Sequence, residues 1–142
     1  MFPIIAVLFF GVLDLGRAVF AYSTIANAAR QGARVAAVNQ ILTSPDCNQA
    51  KPVEQLADPH WSIKTCAATA AISLGVVPGD VSVSFSTPTG TTLQCSPAVN
   101  VGCIASVTVH YVYRPMTPLF NSVFPTMTMD STSQMPIERV FP

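Results

Sequence analysis

Four cysteines carry the most reactive side chains in this sequence: Cys47, Cys66, Cys95 and Cys103. None forms the CxxC pair typical of a four-thiolate zinc site, so we favour disulfides over metal binding. Four cysteines allow three pairings, and sequence alone does not choose between them. Short loops favour Cys47–Cys66 and Cys95–Cys103, each stabilising the fold by about 3 kcal/mol. Because disulfides persist in oxidising compartments, we expect these residues to lie outside the cytoplasm.

Asp14 and Arg17 are the second group with chemical potential, since they interrupt an otherwise apolar N-terminal stretch. They are three residues apart and therefore lie on neighbouring turns of one helix face. An aspartate inside such a stretch is costly unless it is paired. Arg17 is the nearest partner, and the N-terminal amine of a neighbouring subunit is another. Two interpretations stay open: a membrane–water boundary, or a specific contact between subunits.

Catalytic chemistry has little support in the sequence. Neither His60 nor His110 has a cysteine or serine partner in a recognisable local motif. Asp58, His60 and Cys66 are close together, but a loop position and a predicted disulfide argue against a site there. The sequence has no GxSxG elbow, glycine-rich phosphate loop or paired-carboxylate motif. We therefore expect no enzyme, no bound metal and no cofactor.

The element that must position Asp14 and Arg17 is a long N-terminal helix. No proline, the residue that most reliably stops a helix, occurs between Pro3 and Pro45. We predict one helix over residues 1–42, about 60 Å long at 1.5 Å per residue. Residues 1–22 match a membrane span in length and apolar character. The side chains predicted to enter a membrane or filament core are Met1, Phe2, Ile5, Phe9, Phe10 and Leu13.

Small residues give this helix a thin, smooth surface, which allows close helix packing in lipid or in a protein bundle. The positions predicted to serve such packing are Gly11, Gly16, Ala29, Gly32 and Ala36. Arg30 and Arg34 lie four residues apart on one side, so a globular domain can pack on the other.

Residues 43–142 are predicted to form an exported globular domain. Trp61–Gly75 has helical spacing and ends at a glycine, and three later segments alternate apolar and polar residues as strands do. Those segments are Val81–Ser86, Ala105–Pro115 and Thr126–Met135. The expected fold is α+β: a long apolar N-terminal helix, then a small domain with a short helix and a three- to four-stranded antiparallel sheet.

Charge and hydropathy exclude other classes of function. The chain has seven basic and seven acidic residues, and half of its residues are hydrophobic. With no basic block, nucleic-acid binding is not expected. The apolar run begins without the basic residues that precede the core of a secretory signal. We expect that a short basic leader has been removed before Met1.

The N-terminal sequence resembles TadE-like pilins, from the tight-adherence branch of type IV pilus systems. The resemblance is carried by G-x-x-D-x-G-R (Gly11 to Arg17), by Phe20–Tyr22 and by N-A-A-R-x-G-A-R (Asn27 to Arg34). It is weaker in VTVHYVYRPMTPLF and in the terminal PIER. Type IV pilins usually have a glutamate near the mature N-terminus. Here that neighbourhood holds Ile4, Ile5 and Ala6. Either the glutamate was removed with the leader, or Asp14 supplies the charge from further along the helix.

The resemblance implies a function. Such proteins have a leader cut by a prepilin peptidase, an inner-membrane stage, and assembly by pilus machinery into a filament of many identical copies. We therefore expect a structural subunit of an extracellular, pilus-like filament. A membrane-anchored minor pseudopilin that assists pilus assembly is the alternative, and an enzyme or ligand-binding module on a stalk is a third hypothesis.

Overall fold

The computed structural model describes residues 2–38, 60–90, 95, 99–116 and 126–138, with side chains from Ile4 onward. Helix α1 spans Phe2–Val38 and helix α2 spans Trp61–Ala70, followed by 3₁₀ turns at Ile72–Leu74 and Pro78–Asp80. The strands are β1 (Val81–Ser86), β2 (Ile104–Tyr113) and β3 (Met127–Pro136). The predicted fold, a long helix followed by a small α+β domain, is confirmed. Positions 39–42 of the predicted helix lie outside the described residues.

The strands form an antiparallel sheet in the order β1-β2-β3. Val81 pairs with Val109 across β1 and β2, and Tyr113 pairs with Met127 across β2 and β3. Alternation places Val107 and Val109 in the core and Thr108 and His110 on the outer face. The described part of the sheet therefore has the inside-outside pattern predicted from sequence.

Helix α1 lies along the inner face of the sheet and is fastened near both ends of the contact. At the lower end the hydroxyl of Tyr113 donates a hydrogen bond to the backbone oxygen of Asp14, at 2.8 Å. At the upper end the backbone N–H of Glu138 donates to the oxygen of Ala37, at 3.0 Å. The helix between Asp14 and Ala37 is about 34 Å long at 1.5 Å per residue. The part of the chain that packs on it, residues 60–138 where described, is called the head below.

The core between helix and head is built from small side chains, so the backbones approach closely. Ile25, Ala28, Ala29, Ala33 and Ala36 of α1 are fully buried. A Cβ added at Gly32 would lie 2.9 Å from Cγ1 of Val107 and 3.0 Å from Cβ of Ala67. Glycine is therefore the residue that fits where α1 crosses both α2 and β2. The exposed Arg30 and Arg34 lie on the helix face turned away from the head.

Helix α2 ends at Ala70, before its predicted stop at Gly75, and the 3₁₀ turn Ile72–Leu74 lies between them and ends at Gly75. Gly75 has a φ of 73°, the left-handed conformation that glycine adopts most readily. Trp61 begins α2, and its buried indole N–H has no hydrogen-bond partner among the described residues. The His60 ring packs against Phe85, with centroids 5.1 Å apart. His60 therefore contacts strand β1 of the sheet.

The predicted disulfide Cys95–Cys103 is confirmed, with a sulfur–sulfur distance of 2.03 Å. It closes the connection between β1 and β2 at the upper end of the sheet. Cys66 is also disulfide-bonded. The predicted pairing Cys47–Cys66 involves Cys47, which lies outside the described residues.

Candidate assembly surface

The first part of α1 extends beyond the head and exposes large apolar side chains. This N-terminal arm, Ile4–Leu13, contains no charged residue. Of the predicted surface residues, Ile5 is 65% exposed, Phe9 61%, Phe10 50% and Leu13 48%. Phe2 belongs to the helix but its side chain is not described, and Met1 lies outside the described residues. By length and composition this helix can cross a membrane.

The exposed apolar surface continues past the arm on the face of α1 that points away from the sheet. Leu15, Val19, Phe20 and Tyr22 are each more than half exposed. On the opposite face, Ala21 is buried against the head. From Asp14 to Tyr22 the helix is therefore two-sided, with one face on the head and an apolar face turned outward.

Asp14 is buried at the junction between arm and head. Its side-chain oxygen Oδ1 accepts a hydrogen bond from the backbone N–H of Met116, at 3.2 Å. The same oxygen lies 3.8 Å from Nη1 of Arg17, whose side chain is half exposed. Together with the Tyr113 hydroxyl on the Asp14 backbone, these contacts join the helix to the end of β2. The sequence identified the Asp14–Arg17 pair, but not the partners about a hundred residues further along the chain.

An apolar cavity of about 360 Å³ lies beside this junction. The helix contributes Gly11, Asp14, Leu15 and Ala18 to its wall, and the head contributes Tyr113, Pro115 and Met127. Gly11 has no side chain that could fill this space. An opening of this size and chemistry at the foot of the head can receive an apolar side chain.

The structure divides the predicted small-residue positions into two groups. Ala29, Gly32 and Ala36 are buried inside the protein, against the head. Gly11 lines the cavity, and a Cβ added at Gly16 would meet nothing within 4 Å. Of these five predicted positions, only Gly11 and Gly16 therefore present a surface that another molecule could approach.

The junction raises the pKa of Tyr113 above its usual value. Burial is the main cause and the charge of Asp14 adds to it; Arg17 acts in the opposite direction, and Tyr111 makes a smaller contribution that raises the pKa. When pH rises above about 10, the unfolded chain loses this proton before the folded chain does. The unfolded state then binds fewer protons, so Tyr113 lowers the unfolding free energy progressively as the solution becomes more alkaline.

Tyr113→Phe tests this junction. Near neutral pH we expect a loss of about 0.5–1.5 kcal/mol of unfolding free energy, the net value of a typical hydrogen bond. The difference in unfolding free energy between wild type and variant should become smaller above pH 10, because the variant has no hydroxyl to ionise. Urea denaturation of the detergent-solubilised chain over a pH series measures both effects. Tyr22→Phe, on the exposed face of the same helix, is the control. A difference in unfolding free energy that does not change with pH would contradict a raised pKa of Tyr113 in the folded protein.

A cross-strand polar cluster lies on the outer face of the sheet, and sequence reasoning missed it. His110 Nδ1 lies 2.8 Å from Oδ1 of Asp130, and His110 Nε2 lies 3.2 Å from the hydroxyl oxygen of Ser82. The order serine, histidine, aspartate is that of a nucleophilic relay. However, the side chains of His110 and Asp130 are 51% and 57% exposed, so water screens any charge that a reaction would develop. The cluster is better explained as cross-strand pairing that fixes the sheet register.

Comparison with known families concerns the first helix. The family model described as TadE-like protein matches residues 1–34. The N-terminal helix is TadE-like. The match covers the arm, the helix residues of the junction and the helix as far as Arg34, and leaves the head outside it. No curated protein and no solved structure matches the chain.

The TadE-like helix indicates a pilin-like protein related to Tad pili, a structural kind of protein, and its apolar arm indicates membrane anchoring. Three residues of the G-x-x-D-x-G-R motif, Gly11, Asp14 and Arg17, lie at or beside the junction.

Proposed function

We propose that this protein is a structural subunit that polymerises into an extracellular, pilus-like filament through its N-terminal arm. The observation that carries the proposal is the arm itself, whose large apolar side chains are exposed along its whole described length. Burying one such side chain contributes about 1.5–3 kcal/mol relative to water. Association costs about 4–15 kcal/mol before any gain appears. The eight large side chains of the arm can together exceed that cost.

Lipid is as apolar as a neighbouring arm, so transfer from membrane to filament gains little from hydrophobicity alone. The preference for the filament must then come from shape and from polar contacts. The cavity at Gly11 and the buried Asp14 supply both kinds of feature at the foot of the head. We infer that an apolar side chain of an adjacent copy fills this cavity in the filament.

The earlier steps of the proposal follow the resemblance to pilins. A prepilin peptidase removes a leader, the subunit waits in the inner membrane, and pilus assembly machinery extracts it. The competing function is a membrane-anchored minor pseudopilin that assists assembly and is scarce in the fibre. The same exposed arm serves that role, because an anchor also needs a membrane span.

Electron microscopy of sheared extracellular material, combined with quantitative mass spectrometry, separates the two functions. A filament subunit should be the predominant protein of purified fibres, present in many copies per fibre. If the chain stays with the inner membrane while fibres made of another protein form normally, the structural role is wrong and the accessory role stands.

Two substitutions at Asp14 separate its charge from its hydrogen bond. Asp14→Asn keeps an oxygen that can accept from Met116 N–H and removes the charge, whereas Asp14→Ala removes both. We expect Asp14→Ala to lower the unfolding free energy by about 1–3 kcal/mol, because the Met116 N–H loses its partner. Asp14→Asn should change it less. Thermal unfolding and fibre yield are measured for both variants.

Fibre yield gives the second readout. If the charge makes a contact between subunits, both variants lose fibres, although the asparagine variant keeps a folded head. Normal fibres from Asp14→Asn would show that the charge is dispensable for assembly.

A further inference from the structure

The foot of the head carries exposed apolar and basic side chains at the level of Asp14. Val112 is half exposed, Met127 nearly so, and Met116 is 76% exposed. Arg114 is exposed between them along the chain, and Arg17 is exposed on the adjacent helix. The four head residues Val112, Arg114, Met116 and Met127 are called the lower rim.

The length of the arm brings the lower rim to the membrane. A span needs about 20 residues to cross roughly 30 Å of hydrocarbon, which from Ile4 would place its end at Ser23. Only the arm, Ile4–Leu13, is free of the head, and it covers about 15 Å. From Asp14 upward one face of the helix is covered by the sheet, so the helix cannot go deeper without carrying the head with it.

The outer face of the sheet limits how far the head can sink. His110 and Asp130 form a paired, half-exposed cluster about 10 Å above Tyr113, at about 3.3 Å per residue. Moving that pair into hydrocarbon would cost several kcal/mol. The His110–Asp130 pair therefore lies outside the bilayer, and the outer edge of the headgroup layer falls between this pair and the lower rim.

The composition of the rim fits that level. The ordered layer of headgroups lies outside the hydrocarbon, and arginine there can bind phosphate oxygens in pairs. Arg17 and Arg114 provide two such side chains, and Met116 and Val112 can enter the outermost part of the acyl chains. Above Tyr22, the described part of the helix that carries Arg30 and Arg34 exposes one large apolar side chain, Val38.

We propose that, in the membrane-bound subunit, the lower rim together with Arg17 lies in the phospholipid headgroup layer and docks the head onto the bilayer surface. Lipid is the occupant, because Met127 of the rim and Gly11 of the membrane-inserting arm line the same apolar cavity, which places the rim at the level where the arm ends. This inference rests on the membrane-bound stage of the proposed function.

Depth-dependent fluorescence quenching tests the proposal with the full chain in vesicles of phosphatidylcholine and phosphatidylglycerol at low protein density. Trp61→Phe provides a silent background, since it removes an indole N–H that has no partner in the described structure. Tryptophan is then introduced singly as Met116→Trp on the rim, Phe10→Trp on the arm, or Val101→Trp on an exposed turn at the far end of the sheet. Lipids carry a nitroxide at a shallow or a deep acyl position.

The expected result is several-fold stronger quenching of Met116→Trp than of Val101→Trp by the shallow nitroxide, with Phe10→Trp quenched most by the deep one. If Phe10→Trp is quenched and Met116→Trp behaves like Val101→Trp, the rim does not touch lipid and the inference is overturned, although membrane insertion stands. If Phe10→Trp is not quenched either, the membrane-bound stage of the proposed function fails. A Met116→Trp emission that is shifted to the blue but not quenched would mean that a second copy covers the rim, which also overturns the inference.

Substitution of the basic residues provides a second, independent test. Each basic side chain near an anionic surface strengthens membrane binding by about fivefold. Arg17→Gln with Arg114→Gln should therefore weaken shallow quenching of Met116→Trp in vesicles with phosphatidylglycerol. Arg30→Gln with Arg34→Gln is the matched control, because these residues lie about 20 and 26 Å above Arg17 on the helix, beyond the screening length of physiological salt. Equal effects of the two pairs would contradict docking through the rim.

Discussion

Replacing Phe9 with aspartate should abolish filaments while the head remains folded. Phe9 is 61% exposed in the isolated subunit, where its ring contacts that of Phe10, with centroids 5.9 Å apart. It does not belong to the core cluster of the described head, so the head should stay folded. In a filament the change removes about 1.5–3 kcal/mol of apolar burial. It also places a carboxylate in an apolar environment, which costs about 2.5–3.5 kcal/mol near the centre of a span. Relative to a subunit whose arm is in water, the sum corresponds to about a thousandfold or greater loss of affinity per subunit.

Fibre yield and circular dichroism of the detergent-solubilised subunit measure the two halves of this prediction. Phe9→Leu is the conservative variant and should keep assembly. Val101→Asp introduces the same charge on an exposed turn of the head and should leave fibres unchanged. Normal fibres from Phe9→Asp would show that the arm is not buried between subunits.

Replacing Gly32 with leucine should separate the head from its helix. Even the first added carbon would meet Val107 Cγ1 at 2.9 Å and Ala67 Cβ at 3.0 Å. Overpacking typically costs about 1–3 kcal/mol and occasionally more, and leucine adds three further carbons here. We expect a loss of about 3 kcal/mol or more, a large share of the roughly 5–15 kcal/mol that stabilises a domain. Urea denaturation and hydrogen exchange of the buried sheet amides report it.

Gly16→Leu is the matched control for this prediction. It lies on the same helix, and a Cβ there meets nothing within 4 Å. Its head should stay folded and gain up to about 1 kcal/mol, since glycine is a poor helix former. A fall in fibre yield with a folded head would place Gly16 in a contact between subunits. If Gly16→Leu unfolded the head as much as Gly32→Leu does, the division of the small residues into two groups would be wrong.

The sequence predicted the elements of this fold because their patterns are local. A proline-free apolar run predicts α1, and alternating residues predict the strands. The sequence could not assign the small residues to a partner. The spacing of Ala29, Gly32 and Ala36 is the same whether they face a neighbouring helix or the head, and only the structure shows that they face the head.

The parts of the site that escaped prediction depend on contacts between distant segments. Asp14 meets Tyr113 and Met116 because β2 runs antiparallel to α1, and no local pattern encodes that direction. Likewise, Ser82, His110 and Asp130 come together only through the register of three strands. Hydropathy also averages over all faces of a helix. It placed residues 1–22 in one apolar segment, whereas the described head already covers one side of the helix from Asp14 upward.

The attachment of the helix at both ends has a mechanical consequence for a fibre. A pull on the subunit along the helix axis loads the bonds at Asp14 and Ala37 in shear, together with the side chains packed between them. Under this load all of these contacts must break together. If the head were instead peeled from one end, the contacts would break one after another. A fibre built from such units would therefore transmit tension along its axis without shedding its outer layer.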